Sequence, residues 1–186
     1  MKLIILDRDG VINFDSPFFI KSPEEWVPIP RSLQAIKMLN DHNWTVAVAT
    51  NQSGIGRKLF SEKTLANIHN KMNIMLADLG AHVDHIAWCP HLPSDLCNCR
   101  KPKTGLYEQI STYFGVPLKN VPVVGDSLRD LQAANRVEAT PILVKTGKGL
   151  KYVNNENLPP KTLIFQDLFC FVTSNEFNIS QQKHEF

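Results

Sequence analysis

Short apolar runs alternate along this chain with stretches in which apolar residues recur at helical spacing. The clearest helical pattern consists of Leu65, Ile68, Met72, Met75, Leu76 and Leu79. Further helices are expected around residues 33–39, 104–114 and 127–135, and buried strands at 2–6, 45–49, 85–88, 121–124, 141–144 and 162–165. Strands that alternate with helices are typical of βαβ units, so the pattern predicts an α/β fold with a mainly parallel sheet.

The composition is that of one folded domain. The chain has 186 residues, 43% of them hydrophobic, and a chain of this length can bury its own core. We expect a single domain over residues 1–173 and a flexible polar tail over residues 174–186. Twenty Lys and Arg against eighteen Asp and Glu leave a net charge of +2, which argues against a nucleic-acid-binding protein.

The first residues and the length of the apolar runs predict a location. Four apolar residues, Leu3 to Leu6, precede Asp7, whereas a signal peptide needs an apolar stretch of about 7–15 residues. No run approaches the roughly 18 apolar residues of a membrane helix. We therefore expect a cytoplasmic protein with no membrane partner, in a compartment that keeps thiols reduced.

Polar side chains follow four of the predicted strands, at the point where each strand ends. Asp7 and Asp9 follow the first, residues 50–53 the second, a Cys/His group the third, and Asp126 the fourth. The carboxyl ends of parallel strands meet at one edge of the sheet, and ligands bind there in open α/β sheets. We therefore expect these groups to converge on one pocket.

The three aspartates indicate a magnesium site. Asp7 and Asp9 lie two residues apart on an extended segment, so both side chains point to the same side. Together with Asp126 they would repel one another without a cation, and hard oxygen ligands suit Mg²⁺ beside a phosphate. The alternative is that Asp7 and Asp9 are turn residues and Asp126 is a helix cap. The matching polar groups at the other strand ends favour metal binding.

The segment after the second strand has the residue types of a phosphate site. Thr50 supplies a hydroxyl, Asn51, Gln52 and Ser53 follow it, and two glycines come next. Hydroxyls and backbone amides at a strand-to-loop turn can bind phosphate oxygens. An ordinary Asn/Ser/Gly turn is the alternative, and it is stronger for Ser53 than for Thr50 or Asn51.

A group of cysteines and a histidine follows the third strand. Cys89, His91, Cys97 and Cys99 lie within eleven residues and supply three sulfurs and one imidazole. This is a complete tetrahedral zinc set without an open position, so we expect a structural zinc in a loop over residues 89–103. Incidental thiols beside a surface histidine are the alternative. Cys170 stands apart in an apolar run and is expected to be a small buried side chain.

Basic residues come directly after the last of these cysteines. A loop fixed by metal would hold Arg100 and Lys101 over the aspartates. There a lysine acts on phosphate as a point charge, and an arginine can bind it in bidentate fashion. A solvated basic turn is the alternative, and it is stronger for Lys103.

Three further features leave their interpretation open. Asp130 lies three residues after Ser127, so it either caps a helix or orients Asp126 or Lys101. Residues 145–149 are expected to form a flexible loop, and they do not match a P-loop. The remaining histidines are expected at surface or packing positions, and they are His42, His69, His82, His85 and His184.

Four motifs resemble, in order, those of the haloacid dehalogenase (HAD) phosphatases. They are Asp7-x-Asp9-Gly10, Thr50-Asn51, Lys101 and Gly125-Asp126-x-x-x-Asp130. More narrowly, four stretches resemble the D-glycero-D-manno-heptose 1,7-bisphosphate 7-phosphatases: residues 7–13 (DRDGVIN), 50–57 (TNQSGIGR), 89–105 (CPHLPSDLCNCRKPKTG) and 125–134 (GDSLRDLQAA). The resemblance covers about residues 1–150. It implies a Rossmann-like (HAD-like) three-layer sandwich without a large cap domain.

The resemblance also implies a reaction, the Mg²⁺-dependent removal of the 7-phosphate from a sugar bisphosphate in ADP-heptose and lipopolysaccharide core synthesis. Asp7 would be the nucleophile that forms an aspartyl-phosphate, and Asp9 would be the general acid and base. Mg²⁺ would be bound by Asp7, Asp126 and the backbone carbonyl of Asp9. Thr50 and Lys101 would hold the phosphoryl oxygens. Substrate contacts are implied for Asn51, Gln52, Ser53 and Arg100.

Two departures from the family pattern bear on the substrate. The five-residue spacer between His91 and Cys97 is shared with the histidinol-phosphate phosphatases, and Ser127 stands where some members have Lys. A histidinol-phosphate phosphatase is therefore an alternative, although that group usually has Thr where this chain has Val11.

A further alternative belongs to another class, a catalytically inactive binding module stabilised by zinc. The complete set of catalytic residue types counts against it. A monomer is favoured because no heptad seam or apolar surface stripe is visible.

Overall fold

The structure is a computed structural model that describes residues 1–177. Within these residues the chain forms six strands: β1 Lys2–Leu6, β2 Trp44–Asn51, β3 His85–Cys89, β4 Pro122–Gly125, β5 Thr140–Val144 and β6 Leu163–Phe165. The same residues form five α-helices: α1 Ser32–Asp41, α2 Glu62–Ala77, α3 Gly105–Phe114, α4 Leu128–Arg136 and α5 Leu168–Val172. All the strands and helices expected from the hydrophobic pattern are present.

The strands form a parallel sheet in the order β3–β2–β1–β4–β5–β6. The strand order reverses between β1 and β4, and ligands of open α/β sheets bind beyond the carboxyl ends of the strands at such a reversal. Leu6 of β1 is paired with Val124 of β4. Asp7 and Asp126 therefore leave the sheet close to one another.

Helices cover both faces of the sheet. Side chains alternate in direction along a strand, so Ile4 and Leu6 pack with α1, α2 and α5, whereas Leu3 and Ile5 pack with α3 and α4. This arrangement confirms the predicted three-layer α/β sandwich. No second sheet and no large cap domain form within the described part of the chain.

The C-terminal end of the fold differs from the sequence-based expectation. Helix α5 follows β6, and the side chain of Asp167 begins it by accepting a hydrogen bond from the backbone N–H of Cys170 at 2.7 Å. A five-residue helix is too short to show helical periodicity, which is why the pattern did not indicate it. Cys170 is half-buried, not buried as expected.

The structure describes the first four residues of the expected tail, residues 174–177, and the last of them packs against the core. Phe177 is buried and its ring packs against those of Trp44 and Phe171, at centroid distances of 4.7 and 4.4 Å. The packed chain therefore continues at least to Phe177. The rest of the expected tail, residues 178–186 with His184, lies outside the described residues. None of the described helices is both long and apolar enough to cross a membrane.

Candidate active site

Three aspartates converge where β1 and β4 end. Carboxylate oxygens of Asp7, Asp126 and Asp130 lie within 4.8 Å of one another. Burial raises the pKa of Asp7 to about 7, with Lys101 opposing the rise and Asp130 adding to it. Burial also raises the pKa of Asp126 to about 8, again with a contribution from the neighbouring carboxylates. A divalent cation would relieve the repulsion among carboxylates packed this closely.

Backbone encloses Asp126 on two sides. Gly10 and Gly147 have positive φ angles of +84° and +57°, and a Cβ on them would lie 2.2 and 2.1 Å from Oδ2 of Asp126. The same oxygen accepts a hydrogen bond from the backbone N–H of Lys148 at 2.8 Å. Thr146 Oγ1 donates to the carbonyl of Gly10 at 2.6 Å. The loop after β5 therefore forms one wall of the site.

Lys101 is a buried cation beside the carboxylates. Its Nζ lies 3.1 Å from Asp7 and 2.5 Å from Asp130, and donates to the carbonyl of Ala49 at 2.6 Å. Burial lowers the pKa of Lys101, but Asp130 and Asp7 outweigh that effect and the net shift is upward. The side-chain amide of Asn51 makes two hydrogen bonds of 3.1 Å to the backbone of Lys101. Hydrogen bonds and ion pairs therefore fix both the backbone and the ammonium group of Lys101.

Asp130 has both of the functions that the sequence left open. Its Oδ2 accepts hydrogen bonds from the backbone N–H of Ser127 at 3.1 Å and from its hydroxyl at 2.6 Å, which caps α4. Its Oδ1 faces Lys101. A helix cap and an orienting ion pair are combined in this one carboxylate.

The carboxylate of Asp9 is held by three side chains. Arg8 donates through Nε at 3.0 Å and through Nη2 at 2.9 and 3.0 Å, Asn13 donates at 2.8 Å, and Gln52 donates at 3.0 Å. Burial would raise the pKa of Asp9, but these donors outweigh it and the pKa lies below its ordinary value. Gln52 also donates to Thr50 Oγ1 at 2.9 Å. Asp9 is therefore ionised and fixed in direction.

A cavity of about 370 Å³ opens over these groups. It contains all the predicted catalytic and substrate-contacting residues: Asp7, Asp9, Thr50, Asn51, Gln52, Ser53, Arg100 and Lys101. A larger groove of about 700 Å³ along α3 contains none of the aspartates described above. The carboxylate cavity is therefore the candidate active site, although it is the smaller of the two.

The cavity wall carries several cations beyond Lys101. Arg57, Arg100 and Arg129 line it, together with Lys148, which pairs with Asp15. Burial lowers the pKa of Arg100, and the nearby Arg129 and Arg57 guanidinium groups lower it further. Cations that crowd one another in this way favour an anionic ligand with more than one negative charge.

The Cys/His group after β3 forms a compact cluster. The three sulfur–sulfur distances among Cys89, Cys97 and Cys99 are 3.1, 3.5 and 3.7 Å, and His91 Nδ1 lies 3.5 Å from Cys89 and 3.2 Å from Cys99. A tetrahedral zinc with Zn–S bonds of about 2.3 Å separates its sulfurs by about 3.8 Å. All four ligand atoms lie within 4.8 Å of one another. Donor types and spacings therefore fit a structural zinc.

The Cys/His cluster is tied to the cavity by hydrogen bonds. The carbonyl of Cys89 accepts from the backbone N–H of Gln52 at 2.7 Å, and the carbonyl of His91 accepts from Arg100 at 3.2 Å. Lys101 follows two residues after Cys99. The loop that carries the cluster thus sets the position of two cations of the cavity.

Comparison with known proteins matches this architecture. A HAD-hydrolase-like family model matches residues 98–168. A D-glycero-β-D-manno-heptose-1,7-bisphosphate 7-phosphatase of Bordetella bronchiseptica is 54% identical over 168 residues, which is 90% of this chain and 94% of that protein. One of Pseudomonas putida is 52% identical over 168 residues, 90% of this chain and 95% of that protein. The chain belongs to the D-glycero-D-manno-heptose-1,7-bisphosphate 7-phosphatase family.

A solved structure extends the comparison to the metal. The D,D-heptose 1,7-bisphosphate phosphatase of B. bronchiseptica, complexed with magnesium and phosphate, has a TM-score of 0.91 and 53% identity. The match covers 92% of this chain and 96% of that one. The HAD-like fold, the phosphoric monoester hydrolase class and the family resemblance are therefore confirmed.

The residues of this chain fit both expected metals, Mg²⁺ and Zn²⁺. Asp7, Asp126 and Asp130 are hard oxygen donors of the kind that Mg²⁺ prefers, and Asp130 is already bound to Lys101 and Ser127. Asp7 and Asp126, the carboxylates expected to bind Mg²⁺, both belong to this group, and their binding of the metal remains a prediction. The Cys₃His cluster fits Zn²⁺ and leaves no ligand position open for a reaction.

Two predicted substrate-binding residues use their side chains to bind other residues of the site. The amide of Asn51 is engaged with the backbone of Lys101, and that of Gln52 with Asp9 and Thr50. Both line the cavity, but these bonds first position other residues of the site. Substrate contact remains a prediction for them, as it does for Ser53 and Arg100.

Some residues of the cavity wall were not predicted from the sequence. Arg57 and Arg129 were not singled out, and the segment with Lys148 was expected to be a flexible loop. Instead its backbone holds Asp126. One signal could have revealed it, since this segment follows β5 at the same edge of the sheet as the other polar groups.

Replacing Gly147 by alanine is expected to raise the Mg²⁺ concentration needed for half-maximal activity by about 10-fold or more, because the new Cβ would displace Asp126. Gly115→Ala is a matched control. It has a similar φ of +67° but meets nothing within 4 Å, so it shares the cost of about 1–2 kcal/mol for left-handed backbone without the clash. Equal Mg²⁺ requirements in both variants would contradict the assigned position of Gly147.

Proposed function

We propose that this chain removes the 7-phosphate of D-glycero-β-D-manno-heptose 1,7-bisphosphate in a Mg²⁺-dependent reaction through an aspartyl-phosphate. The observation that carries the proposal is the placement of Asp7, a carboxylate next to Asp126 and Lys101, at the floor of a cavity lined by arginines. The relatives at 54% and 52% identity supply the substrate and its β anomer. A bisphosphate suits a cavity with several cations.

Asp7 and Asp9 divide the chemistry between them. In the first half-reaction, an oxygen of Asp7 attacks phosphorus, the bond from phosphorus to O7 breaks, and Asp9 gives its proton to the leaving oxygen. In the second, water attacks phosphorus while Asp9 accepts a proton, and the bond to Asp7 breaks to release phosphate. Mg²⁺ held by Asp7, Asp126 and the carbonyl of Asp9 neutralises phosphate charge.

The surroundings of Asp9 are suited to this change of role. Arg8, Asn13 and Gln52 hold it ionised in the described state, which is the form that the second half-reaction requires. A phosphate dianion that enters the cavity raises the pKa of Asp9, because a nearby like charge disfavours the ionised form. Substrate binding thus promotes the protonated state that the first half-reaction requires.

Lys101, Thr50 and Arg100 act on the anionic substrate. Lys101 is charged and immobile, so it offsets charge on the phosphoryl group without reorganising during the reaction. Thr50 is buried, lines the same cavity and supplies a hydroxyl. Arg100, with Arg57 and Arg129, is placed on the wall to receive the second phosphate.

We also infer that residues 1–173, with Phe177 packed against them, act as one domain, and that the enzyme is a cytoplasmic monomer without nucleic-acid or membrane partners. In support, the cavity residues named here come from residues 7–148 of one chain, so no second copy is needed to complete it. The even charge balance supports the absence of a nucleic-acid partner.

The test is phosphate release with Mg²⁺ from both anomers of heptose 1,7-bisphosphate and from histidinol phosphate. We expect kcat/KM for the β anomer to exceed that for the other two by at least about 10-fold, which corresponds to roughly 1.4 kcal/mol of transition-state binding. Preference for histidinol phosphate would overturn the substrate while keeping the chemistry. Absence of turnover with all three, in protein shown to hold Mg²⁺, would favour the inactive binding module.

A further inference from the structure

Behind the general acid and base lies a buried arginine that the reaction scheme does not use. The side chain of Arg8 is fully buried, between the two aspartates of the first motif. Its Nε and Nη2 donate hydrogen bonds to the carboxylate of Asp9 and together reach both oxygens. Its Nη1 lies 3.2 Å from Nε2 of His69, on helix α2 and 61 residues further along the chain. Asp9, Arg8 and His69 thus form a continuous chain of contacts.

The chemistry of the two groups fixes how His69 takes part. A guanidinium has donors and no acceptor, so Nε2 of His69 must be the acceptor and must carry no proton. Burial, and then the charge of Arg8, lower the pKa of His69 to about 3, with Asp9 opposing the shift. His69 is therefore a neutral ring at neutral pH, with its proton on Nδ1.

The contact gives Arg8 an acceptor on the side away from Asp9. Three of its hydrogen bonds run to the carboxylate, and without His69 the Nη1 edge would lose the partner that sets the plane of the guanidinium. Because the three bonds to Asp9 depend on that plane, its rotation changes the direction of the carboxylate. Asn13 and Gln52 hold the carboxylate as well, so loss of His69 would misdirect it without releasing it.

We propose that His69 is a positioning residue for the reaction, which acts through Arg8 to direct the carboxylate of Asp9 toward the leaving oxygen. It touches neither phosphate nor metal in this scheme. From the sequence, His69 was expected at a surface or packing position. It is buried, and the proposal gives it a specific function. The inference rests on the proposed role of Asp9 as the general acid, and its test separates that role from the choice of sugar substrate.

The test uses leaving groups that differ in their need for a proton. A sugar alkoxide leaves poorly and needs the acid, whereas 4-nitrophenolate leaves readily without it. For His69→Leu we expect kcat/KM to fall about 10-fold with the heptose bisphosphate and less than about 2-fold with 4-nitrophenyl phosphate. His69→Gln, whose amide oxygen can replace Nε2 as an acceptor, should restore the sugar-phosphate rate to within about 3-fold.

A control variant on the same helix separates a specific effect from a general one. Leu76→Ala removes a buried side chain two turns along the same helix. If a general loosening of α2 were the cause, this variant would lower kcat/KM equally for both substrates. An equal loss with both substrates in His69→Leu, or no rescue by His69→Gln, would overturn the proposal. If the wild type cleaves alkyl phosphates but not the heptose bisphosphate, the proposed substrate fails, and the same comparison is made with the alkyl phosphate that is cleaved.

A measurement without turnover gives an independent answer. Nitrogen-15 NMR of the histidine rings should show His69 neutral at pH 7. Its proton should be on Nδ1, and the unprotonated Nε2 should accept a hydrogen bond from Arg8. A ring protonated at Nε2 could not accept this bond and would overturn the proposal whatever the kinetics.

Discussion

The Asp7→Asn variant is expected to release phosphate from the sugar bisphosphate at least about 10⁴-fold more slowly than the wild type, because an amide cannot replace the carboxylate as the attacking group. An oxygen of Asp7 lies 3.1 Å from Lys101 and within the carboxylate cluster, and Asp7 lines the cavity. The measurement is steady-state phosphate release at saturating Mg²⁺. It is completed by trapping of phosphoenzyme after acid quench, which should be lost in the variant.

The same substitution should leave the fold intact. Asp7 adds to the repulsion that raises the pKa of Asp126, so its neutral amide relieves a crowded site when Mg²⁺ is absent. Lys101 keeps Asp130 and the carbonyl of Ala49 as partners. We expect the melting temperature in Mg²⁺-free buffer to stay within about 3 °C of the wild type.

A matched replacement tests whether the loss is specific. Asp41→Asn makes the same chemical change at an exposed helix end, where the carboxylate pairs with Lys37, and should alter neither rate nor stability measurably. Activity of Asp7→Asn within about 10-fold of the wild type would mean that another group attacks phosphorus. The roles assigned to Asp7 and Asp9 would then have to be redrawn.

The frame of the fold could be predicted because buried parallel strands are continuous apolar runs. The runs that became β1 and β4 are short, and a polar residue follows each, so the sheet edge and its aspartates could be predicted together. The four ligands of the cluster after β3 could be predicted for a different reason, since they lie so close in sequence that the loop must bring them together.

The rest of the site depends on contacts between distant parts of the chain. Nothing in the local pattern of Arg8 reveals that it is fully buried, since a charged residue between two aspartates resembles a solvated turn. The same holds for Asn51, whose partner is 50 residues away, and for Gly147, which is shaped by Asp126 and not by its neighbours. Periodicity and motif spacing carry no information on such contacts.

Loss of the zinc site is expected to disable the enzyme without touching the carboxylates. In Cys97→Ser one of four ligands is replaced by a hydroxyl that binds Zn²⁺ poorly, so the metal content should fall well below one per chain. Cys97 is better suited than Cys89, because Cys89 is buried in the core and its change would also disturb packing. The expected consequence is a loop that no longer holds Arg100 and Lys101, and a kcat/KM lowered by about 10²-fold or more.

The expected effect of zinc loss on stability depends on how much of the fold the metal supports. Zinc binding contributes about 10–16 kcal/mol in small peptides that depend on it for folding, whereas this chain has a large core of its own. The fold should therefore survive, with a melting temperature lowered by about 5–10 °C, while the cavity loses its shape. Far-ultraviolet circular dichroism, zinc content and kinetics measured on one preparation separate these outcomes.

Cys170→Ser is the matched control, since Cys170 is a half-buried thiol on α5, outside the ligand cluster. It should retain zinc and full activity, which excludes a general effect of replacing sulfur by oxygen. The decisive comparison is between Cys97→Ser and the zinc-depleted wild type, because both should lose activity to a similar degree and the wild type should recover when Zn²⁺ is restored. Normal kinetics and normal zinc content in Cys97→Ser would refute Cys97 as a required zinc ligand. Normal kinetics without zinc would show that Asn51 and Asp130 hold Lys101 unaided.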